Sequence, residues 1–262
     1  MGDAKEIVLR PIPASEANAL VKRVHYSGKV VQNSQLHIGV FYQGKLEGAM
    51  QFGPSLDKRK IQGLVSDTQW HEFIELNRMA FSDVLPRNSE SRALSVAMKL
   101  LRKHAPQVKW VVTFADGTQC GDGTIYRAAG FVLTGIKENE NIGLLPSGLV
   151  VHKMTLESNP LQTHDYLGGK SYSTITHGKN DWQSFLRFVG GQSTTGYQLR
   201  YIYFIDPAYR ARLTVPELPY SEIERRGAGM YKGKPSGQGE IDNAPQSNEE
   251  PGGASPTCPL LD

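Results

Sequence analysis

Apolar and polar positions along the first third of the chain predict strands with one helix among them. Residues 7–12 (IVLRPI) form an apolar run typical of a strand, and a helix is expected to begin with Ser15 as its N-cap. Residues 36–53 read as a hairpin, because two β-rich runs flank the turn Gln43–Gly44. Residues 72–81 (EFIELNRMAF) predict a further strand.

The middle of the chain switches to helical spacing and then back to strands. Leu94, Ala97 and Leu101 recur at the spacing of one helix face within ESRALSVAMKLLRKHAP, and Pro106 follows its end. KWVVTFAD is short and apolar enough for a central strand, and TIYRAAGF predicts a short helix that stops at Gly130. Later strands are indicated at FVLTGI, GLVVHKMTL and YQLRYIYFID (197–206).

This order of elements predicts an α+β fold, with helices covering a mostly antiparallel sheet. We expect one folded domain over residues 1–230, with an insertion at 157–197 before the last strand, because about 40 residues without a strong pattern are too long for an ordinary connection. Residues 231–262 predict a disordered tail, since the last 30 residues contain ten Gly or Pro and almost no apolar side chains.

Charge is distributed unevenly along the chain. The net charge is +3, but residues 233–262 contain one Lys and five acids and carry −4, which leaves +7 on the remaining residues. A basic body favours a polyanionic partner such as double-stranded DNA.

We expect no membrane span, because no apolar stretch approaches roughly 20 residues. The two cysteines of the chain fit a reducing cytoplasm.

The insertion interleaves cations with aromatic residues. One interpretation is a DNA-contacting segment, in which cations meet phosphates and rings stack on bases. The other is a small subdomain whose rings pack inward, and the sequence leaves both open. The residues concerned are Lys170, Lys179 and Arg187, with Tyr172, Trp182, Phe185 and Phe188.

Residues 114–126 (FADGTQCGDGTIY) place glycines and aspartates at the end of the predicted central strand. Loops at strand ends often carry sites, although a plain surface turn would have a similar composition. Cys120 has no neighbouring histidine in sequence to activate it, so we do not expect it to be a nucleophile.

The strand order resembles that of the GNAT acetyltransferases, which bind the pyrophosphate of acetyl-CoA at a helix N-terminus. The matching turn here is PRNSESRA, with Asn88 and Ser91 where that family usually has Arg or Gln and Gly. The resemblance implies acetyl-CoA as cofactor, and an ordinary N-capped helix is the alternative. The expected cofactor-binding residues are Arg87, Asn88, Ser89, Ser91 and Arg92, and Glu90 would be unfavourable beside a phosphate.

Four stretches resemble a more specific family, the Mom-type DNA-modification proteins of phages. They are ELNRMAFSD, LPRNSESRALS, FADGTQCGDGTIYRAAGFVLTGI and RYIYFIDPAYRARLTVPELPYSEI, and the resemblance covers roughly residues 5–225. It implies an enzyme that adds a methylcarbamoyl group to the exocyclic amine of adenine in phage DNA, in the bacterial host cytoplasm, and so protects the DNA from restriction.

The same resemblance implies roles for individual residues. An iron ion would be held by His25, Tyr26, Asp116 and Tyr126, whose imidazole, carboxylate and phenol groups suit iron. Catalysis would also involve Asp116, with Arg78 stabilising charge near the acyl group. Tyr42 faces out of the hairpin, where one interpretation is that it lines the adenine pocket and the other is half-buried packing. We further expect the basic residues Arg210, Arg212 and 225–227 to grip the DNA backbone.

Other functions compete with this one. An acetyltransferase acting on a protein or a small-molecule amine would keep the fold without DNA, and a non-catalytic protein could shield DNA sterically. Adenine methylation is disfavoured, because DPAY (206–209) lacks the second proline of the amino-methyltransferase motif and no glycine-rich turn follows the first strand. The sequence leaves the choice between monomer and homodimer open.

Overall fold

The computed structural model describes residues 3–119, 121–231 and 234–235, so Cys120, Cys258 and most of the predicted tail lie outside the described residues. The strands, in chain order, are β1 Val8–Pro11, β2 Leu36–Tyr42, β3 Lys45–Gly53, β4 Phe73–Phe81, β5 Trp110–Asp116, β6 Val132–Leu144, β7 Val150–His152, β8 Thr163–His164, β9 Lys170–Ser171, β10 Gln192–Phe204, β11 Met230–Tyr231 and β12 Lys234–Pro235.

Eight helices of α type accompany these strands in the described part of the chain. They are α1 Ala14–Val24, α2 Lys58–Gln62, α3 Ser89–His104, α4 Thr124–Ala128, α5 Lys153–Glu157, α6 Tyr172–Ile175, α7 Trp182–Val189 and α8 Ser221–Arg225. Short 3₁₀ helices cover Asp3–Glu6, Asp165–Leu167 and Pro207–Arg212. None of these helices combines the length and the hydropathy that crossing a bilayer requires.

A single eight-stranded sheet organises the molecule, in the order β1-β2-β3-β4-β5-β10-β6-β7. Within the described sheet, every neighbouring pair is antiparallel except β4 and β5, which run parallel. Strand β10, the last long strand in the chain, lies between β5 and β6 and so completes the middle of the sheet. The predicted α+β class, with a mostly antiparallel sheet and an insertion before the last strand, is confirmed.

Helices cover both faces of the sheet. Successive strand residues point to opposite faces, so Met50 joins the core beneath α3 while its neighbour Ala49 packs against α1. The α3 face is the larger, and Ala93, Leu94 and Ala97 of α3 are fully buried in it. Burial of this apolar surface is the main favourable term in holding the sheet and helices together.

The parallel strands β4 and β5 separate soon after they meet. Their pairing covers only Phe73–Leu76 of β4 and Trp110–Thr113 of β5. Beyond it β4 continues to Phe81 and β5 to Asp116 without pairing with each other. An opening therefore lies in the middle of the sheet, beside the N-terminal end of α3.

The insertion is a subdomain with its own small core. Tyr172, Trp182 and Phe185 are buried in it, and Phe185 stacks on Trp182 with ring centroids 5.3 Å apart. Phe188 differs, because 56% of it is exposed. The inward-packing interpretation is therefore correct for three of the four rings. The insertion also ends earlier than predicted, since β10 begins at Gln192.

Several predicted boundaries are wrong in detail. Helix α1 has Pro13, not Ser15, at its N-cap, and no side-chain cap is formed there. The strand expected over GLVVHKMTL stops at His152, where α5 begins. Helix α2, with Asp57 as its cap, has no counterpart in the sequence prediction.

The two phenylalanines of α7 allow a matched test of the subdomain core. We expect Phe185→Ala to reduce the free energy of unfolding of the subdomain by about 3–5 kcal/mol, because it empties a fully buried site. Phe188→Ala should change it by less than about 0.5 kcal/mol. Amide hydrogen exchange in α6 and α7 measures both values, and equal effects of the two variants would contradict the assignment of the core.

Candidate active site

A cavity of about 180 Å³ lies in the opening between β4 and β5. Arg78 and Asp116 reach it from the separated ends of the two strands. His25 and Tyr26 line it from the end of α1, while Glu90 of α3 and Tyr126 of α4 line it from the other face of the sheet. The tertiary structure thus brings together five side chains that the sequence had indicated, and they come from four separate segments. These five are His25, Tyr26, Arg78, Asp116 and Tyr126.

Asp116 is held from both sides of its carboxylate. Oδ1 accepts hydrogen bonds from the backbone amides of Thr118 (3.0 Å) and Gln119 (3.3 Å) in the loop that follows β5. Oδ2 accepts a hydrogen bond of 3.1 Å from the hydroxyl of Tyr26. Nε2 of His152, at the end of β7, lies 3.4 Å from the same oxygen. The carboxylate is therefore fixed in orientation, with Oδ2 shared by an aromatic hydroxyl and an imidazole.

The glycine-rich loop after β5 forms part of the cavity wall. Gly121, Asp122 and Gly123 line the cavity. Gly123 has φ +71°, and a Cβ at this position would lie 2.7 Å from the ring of Tyr201. Only glycine combines this backbone conformation with such a close approach. Tyr201 in turn donates its hydroxyl to the carbonyl of Asp122, so the loop is anchored to β10.

His25 and Arg78 meet inside the cavity. Nη1 of Arg78 lies 3.4 Å from Nε2 of His25, and Nδ1 of His25 contacts the amide (3.1 Å) and hydroxyl (2.9 Å) of Ser27. Burial, and then the positive charge of Arg78, lower the pKa of His25 to about 3. His25 is consequently neutral at physiological pH.

Arg78 brings a positive charge into the cavity without a carboxylate partner. It takes part in none of the ion pairs among the described residues. Its Nε is buried and has no hydrogen-bond partner in this part of the chain. Burial lowers the pKa of Arg78, while Tyr26, Tyr126 and Glu75 oppose that effect. A guanidinium nevertheless stays protonated in proteins, so it can bind a group that carries or develops negative charge.

The expected iron site is not supported by this geometry. Nε2 of His25 faces the guanidinium of Arg78, where a metal cation would be repelled. The hydroxyl of Tyr26 is engaged with Asp116. Across the described residues, no group of three His, Cys, Asp or Glu side chains is arranged to hold a metal ion, so a metal here would need the phenol oxygen of Tyr26 or Tyr126 as a ligand. No step of the proposed mechanism therefore involves iron.

Tyr126 contributes to the cavity from a tightly packed position. Its ring stacks on Tyr201 with centroids 5.3 Å apart and meets Phe131 edge-on at 5.6 Å. The residue is 8% exposed. Packing of this kind holds the ring in place as one wall of the cavity.

A second, more open cavity of about 340 Å³ runs along the start of α3. We call it the α3 groove. The N-cap residue Asn88 has φ +69° and makes no side-chain capping bond, which disfavours the ordinary N-capped helix. Nε of Arg92 is buried there without a partner among the described residues. The α3 groove is lined by Arg87, Asn88, Ser91, Arg92 and Lys99, together with Ala4, Ser95, Val96 and Ala128.

Two residues near this helix start differ from the expectation. Ser89 is fully buried and donates its hydroxyl to the carbonyl of Pro86 at 2.6 Å, so it is not available to a ligand in the α3 groove. Glu90 lines the Asp116 cavity, and it is absent from the lining of the α3 groove as described. Burial, reinforced by the charge of Asp83, raises the pKa of Glu90. The repulsion between the Glu90 carboxylate and a phosphate in the α3 groove, which the sequence led us to expect, is therefore reduced.

Tyr42 does not lie where a role at the adenine pocket would place it. It is the last residue of β2, beside the hairpin turn, and packs against the core beneath α3. Among the described residues, those that line the Asp116 cavity do not include it. Tyr42 therefore takes the half-buried packing position that was the alternative to lining the pocket.

Arg210 and Arg212 lie at the far end of the sheet from the cavity. They follow β10, whose last residue pairs with Trp110 at the start of β5, whereas Asp116 is at its end, roughly 20 Å away at about 3.3 Å per residue. Arg210 forms a bidentate ion pair with Glu217, both contacts being 2.6 Å. Arg212 stacks on Tyr209 at 4.3 Å. Neither residue lies beside the cavity, and the expectation that they contact the DNA backbone stays a prediction.

The other basic residues that were expected to contact DNA differ in whether they form ion pairs. Arg225 and Arg226 are paired with Glu222, so the expectation for residues 225–227 is not supported either. The three basic residues of the insertion, Lys170, Lys179 and Arg187, are exposed. None of the three takes part in an ion pair within the described ranges.

The sequence analysis missed His152 and Lys99. His152 stands directly after the apolar run LVV, and a histidine at a strand end was the available signal. Its contact with Asp116 depends on β7 lying beyond β6 and β10, which no local pattern reveals. Lys99 lies on α3 at i+7 from Arg92, on the same side of the helix.

Comparisons with known proteins identify the family of this chain. The model of the Mom protein family matches residues 6–222. The methylcarbamoylase Mom of Escherichia phage Mu is 35% identical over 189 residues, which are 71% of this chain and 77% of that protein.

Solved structures similar to this chain are acetyltransferases. One from Bacillus subtilis in complex with CoA has a TM-score of 0.39 at 9% identity and covers 74% of this chain and 96% of its own. A GNAT family member from Elizabethkingia anophelis with acetyl-CoA bound has a TM-score of 0.37 at 13% identity, with coverage of 74% and 97%. Their class is the one expected from the sequence, but such distant likeness assigns no ligand. On the family match and the identity to the phage Mu protein, the chain belongs to the Mom protein family.

Proposed function

We propose that this protein is a phage DNA-modifying transferase that adds a methylcarbamoyl-type group to the exocyclic amine of adenine. Its membership of the Mom family and the methylcarbamoylase name of the phage Mu relative support the type of group. The observation that carries the proposal is the opening between β4 and β5, because it joins Asp116 and Arg78 in one cavity directly beside the start of α3.

The α3 groove fits the phosphates of acyl-CoA. Arg87, Arg92 and Lys99 supply positive charge, and the buried Nε of Arg92 lacks a partner in the described chain. The N-terminal end of a helix of 16 residues adds the favourable end of its dipole. When bound, acyl-CoA would supply the acyl carbon as a thioester, and attack by the adenine amine would release CoA as the free thiol. A methylcarbamoyl group contains a nitrogen that acyl-CoA does not supply, so a nitrogen-donating co-substrate would also be required.

The cavity residues suit attack by an amine on a carbonyl carbon. Asp116 is a fixed carboxylate that can accept the proton leaving the adenine amine. Arg78 can stabilise the negative charge that develops on the carbonyl oxygen, because its guanidinium is preorganised and forms none of the ion pairs in the described chain. His152 and Tyr26 orient the carboxylate and take no proton in this scheme.

Access to the amine requires the adenine to leave the helix. The amino group is engaged in base pairing in the duplex, so the base must be extruded before it enters a cavity of this depth. The walls formed by His25, Tyr26 and Tyr126 supply aromatic surface for a flat base. Protection of phage DNA from restriction would follow from the bulky group on this base.

Asp116→Asn tests the catalytic assignment with little change of shape. We expect the modified nucleoside to fall by at least about 100-fold, the usual contribution of a general base. The measurement is mass spectrometry of nucleosides from the DNA of bacteria that express each variant. Glu138→Gln, an equivalent change at an exposed position of β6, is the control and should retain full yield. Undiminished product with Asp116→Asn would remove Asp116 from the mechanism.

Arg92→Ala tests the α3 groove. We expect the affinity for acetyl-CoA to fall about 10-fold, because a lost charge-assisted hydrogen bond costs roughly 1.5 kcal/mol. Isothermal titration calorimetry of the purified protein gives the dissociation constant. Lys103→Ala removes a charge from the exposed, far end of the same helix and should leave the affinity unchanged. If the two variants bind equally well, the cofactor lies elsewhere.

A further inference from the structure

The outer face of the insertion carries two exposed aromatic rings, Tyr166 and Phe188. Tyr166 is 42% exposed and Phe188 is 56% exposed, whereas the other rings of α6 and α7 are buried. Nζ of Lys170 lies 5.4 Å from the centroid of the Phe188 ring, and the rings of His164 and Tyr166 are 4.9 Å apart. A single exposed ring is ordinary, but here each ring has a basic or imidazole side chain beside it.

The two pairs are neighbours on one surface. Strands β8 and β9 form a small hairpin in which His164 is directly opposite Lys170. Tyr166 follows β8 by two residues, and Phe188 of α7 lies beneath Lys170. We call Tyr166, Lys170 and Phe188 the ring surface.

The N-terminal side of the insertion is hydrogen-bonded to the segment that follows Tyr26 in the wall of the Asp116 cavity. Lys29, three residues after Tyr26, donates hydrogen bonds of 2.5 Å to the carbonyl of Thr155 and to the hydroxyl of Ser158, in and just after α5. Burial, and then the charge of Lys29, lower the pKa of His164, which indicates that Lys29 is also close to the β8–β9 hairpin. The insertion is therefore docked on the segment that carries His25 and Tyr26.

Charge on this surface favours an anionic partner. Lys170, Lys179 and Arg187 are exposed and form no ion pair among the described residues. Three acids lie in the same segment. Glu157 is paired with Lys153 at 3.6 Å, and Asp181, the cap of α7, is close enough to Arg187 to interact with its charge, which leaves Asp165 against Lys170 and Lys179. Unpaired cations interleaved with exposed rings are typical of surfaces that bind single-stranded nucleic acid.

We propose that the ring surface binds unpaired DNA bases by stacking, next to the adenine that enters the cavity. This inference rests on the proposed function, because extrusion of one base leaves its neighbours without a stacking partner and the opposite base unpaired. Tyr166 and Phe188 replace that stacking, and Lys170 contacts the phosphate between the bases. The surface would thereby stabilise the opened duplex and give little sequence preference.

The test uses a fluorescently labelled single-stranded oligothymidylate and the full chain, with binding followed by fluorescence anisotropy. We expect Tyr166→Ala and Phe188→Ala each to weaken binding by about 5-fold or more, the effect typical of one lost stacking contact. Phe188→Tyr should bind like the natural chain, whereas Phe188→Leu should bind like Phe188→Ala. Lys170→Ala should also reduce the salt dependence of binding, as one phosphate contact is lost.

A matched control lies at the other end of the molecule. Trp70 is 52% exposed and has Nζ of Lys58 at 3.9 Å from its ring, so it is also an exposed ring with a lysine. It precedes β4 at the end of the sheet away from the cavity. Trp70→Ala should leave binding unchanged.

The outcomes separate this inference from the proposed function. Equal binding by the natural chain and both alanine variants would overturn it, as would an equal loss with Trp70→Ala. A change of mass in solution with Phe188→Ala, at unchanged oligonucleotide affinity, would show that a second copy of the chain covers the surface and would also overturn it. Because the oligonucleotide contains no adenine, these results do not depend on the transfer chemistry. If no modified adenine nucleoside is found, while Tyr166→Ala and Phe188→Ala still weaken oligonucleotide binding, the proposed function alone is contradicted.

Discussion

The short parallel contact between β4 and β5 is the constraint on which the rest of this structure depends. Four residues of each strand pair, and the strands then separate. Had the pairing continued to the ends of both strands, Arg78 and Asp116 would stand on a closed sheet with no cavity between them. The separation places side chains of both strands, the end of α1 and the start of α3 around one space, and every proposed chemical role uses that space.

The electrostatics of the cavity follow from the same geometry. Arg78 is the positive group and has no carboxylate partner within the described residues, while Asp116 is held by amides, a hydroxyl and an imidazole. Burying a charge without a close ion pair is costly, and Glu75 offsets part of that cost from within the chain. Burial, and then the same guanidinium, keep His25 neutral, and the guanidinium disfavours a metal cation at Nε2. The positive charge of Arg78 therefore favours an anionic ligand in this cavity over a metal cation.

The insertion shows how much of a site prediction depends on side-chain direction. Its composition suggested both a packed subdomain and a DNA surface, and the structure divides its rings into buried ones that form a core and exposed ones on the surface. Phe185 and Phe188 are three positions apart on α7, yet one is buried and the other is 56% exposed. Composition cannot separate them, because the helix orientation is set by contacts with β6 and β10. Likewise Arg210 and Arg187 look equivalent in the sequence, but Arg210 is neutralised by Glu217.

The sequence by itself determined the order of the main strands and helices, because hydrophobic periodicity and turn residues such as Gln43–Gly44 act locally. Its motifs also singled out His25, Tyr26, Arg78, Asp116 and Tyr126, which share the cavity. Tertiary structure alone decided that His152 reaches Asp116, that Glu90 faces the cavity rather than the α3 groove, and that Tyr42 does not contribute. These facts depend on β10 entering between β5 and β6 and on the separation of β4 from β5, and contacts between distant segments leave no periodic signal in the chain.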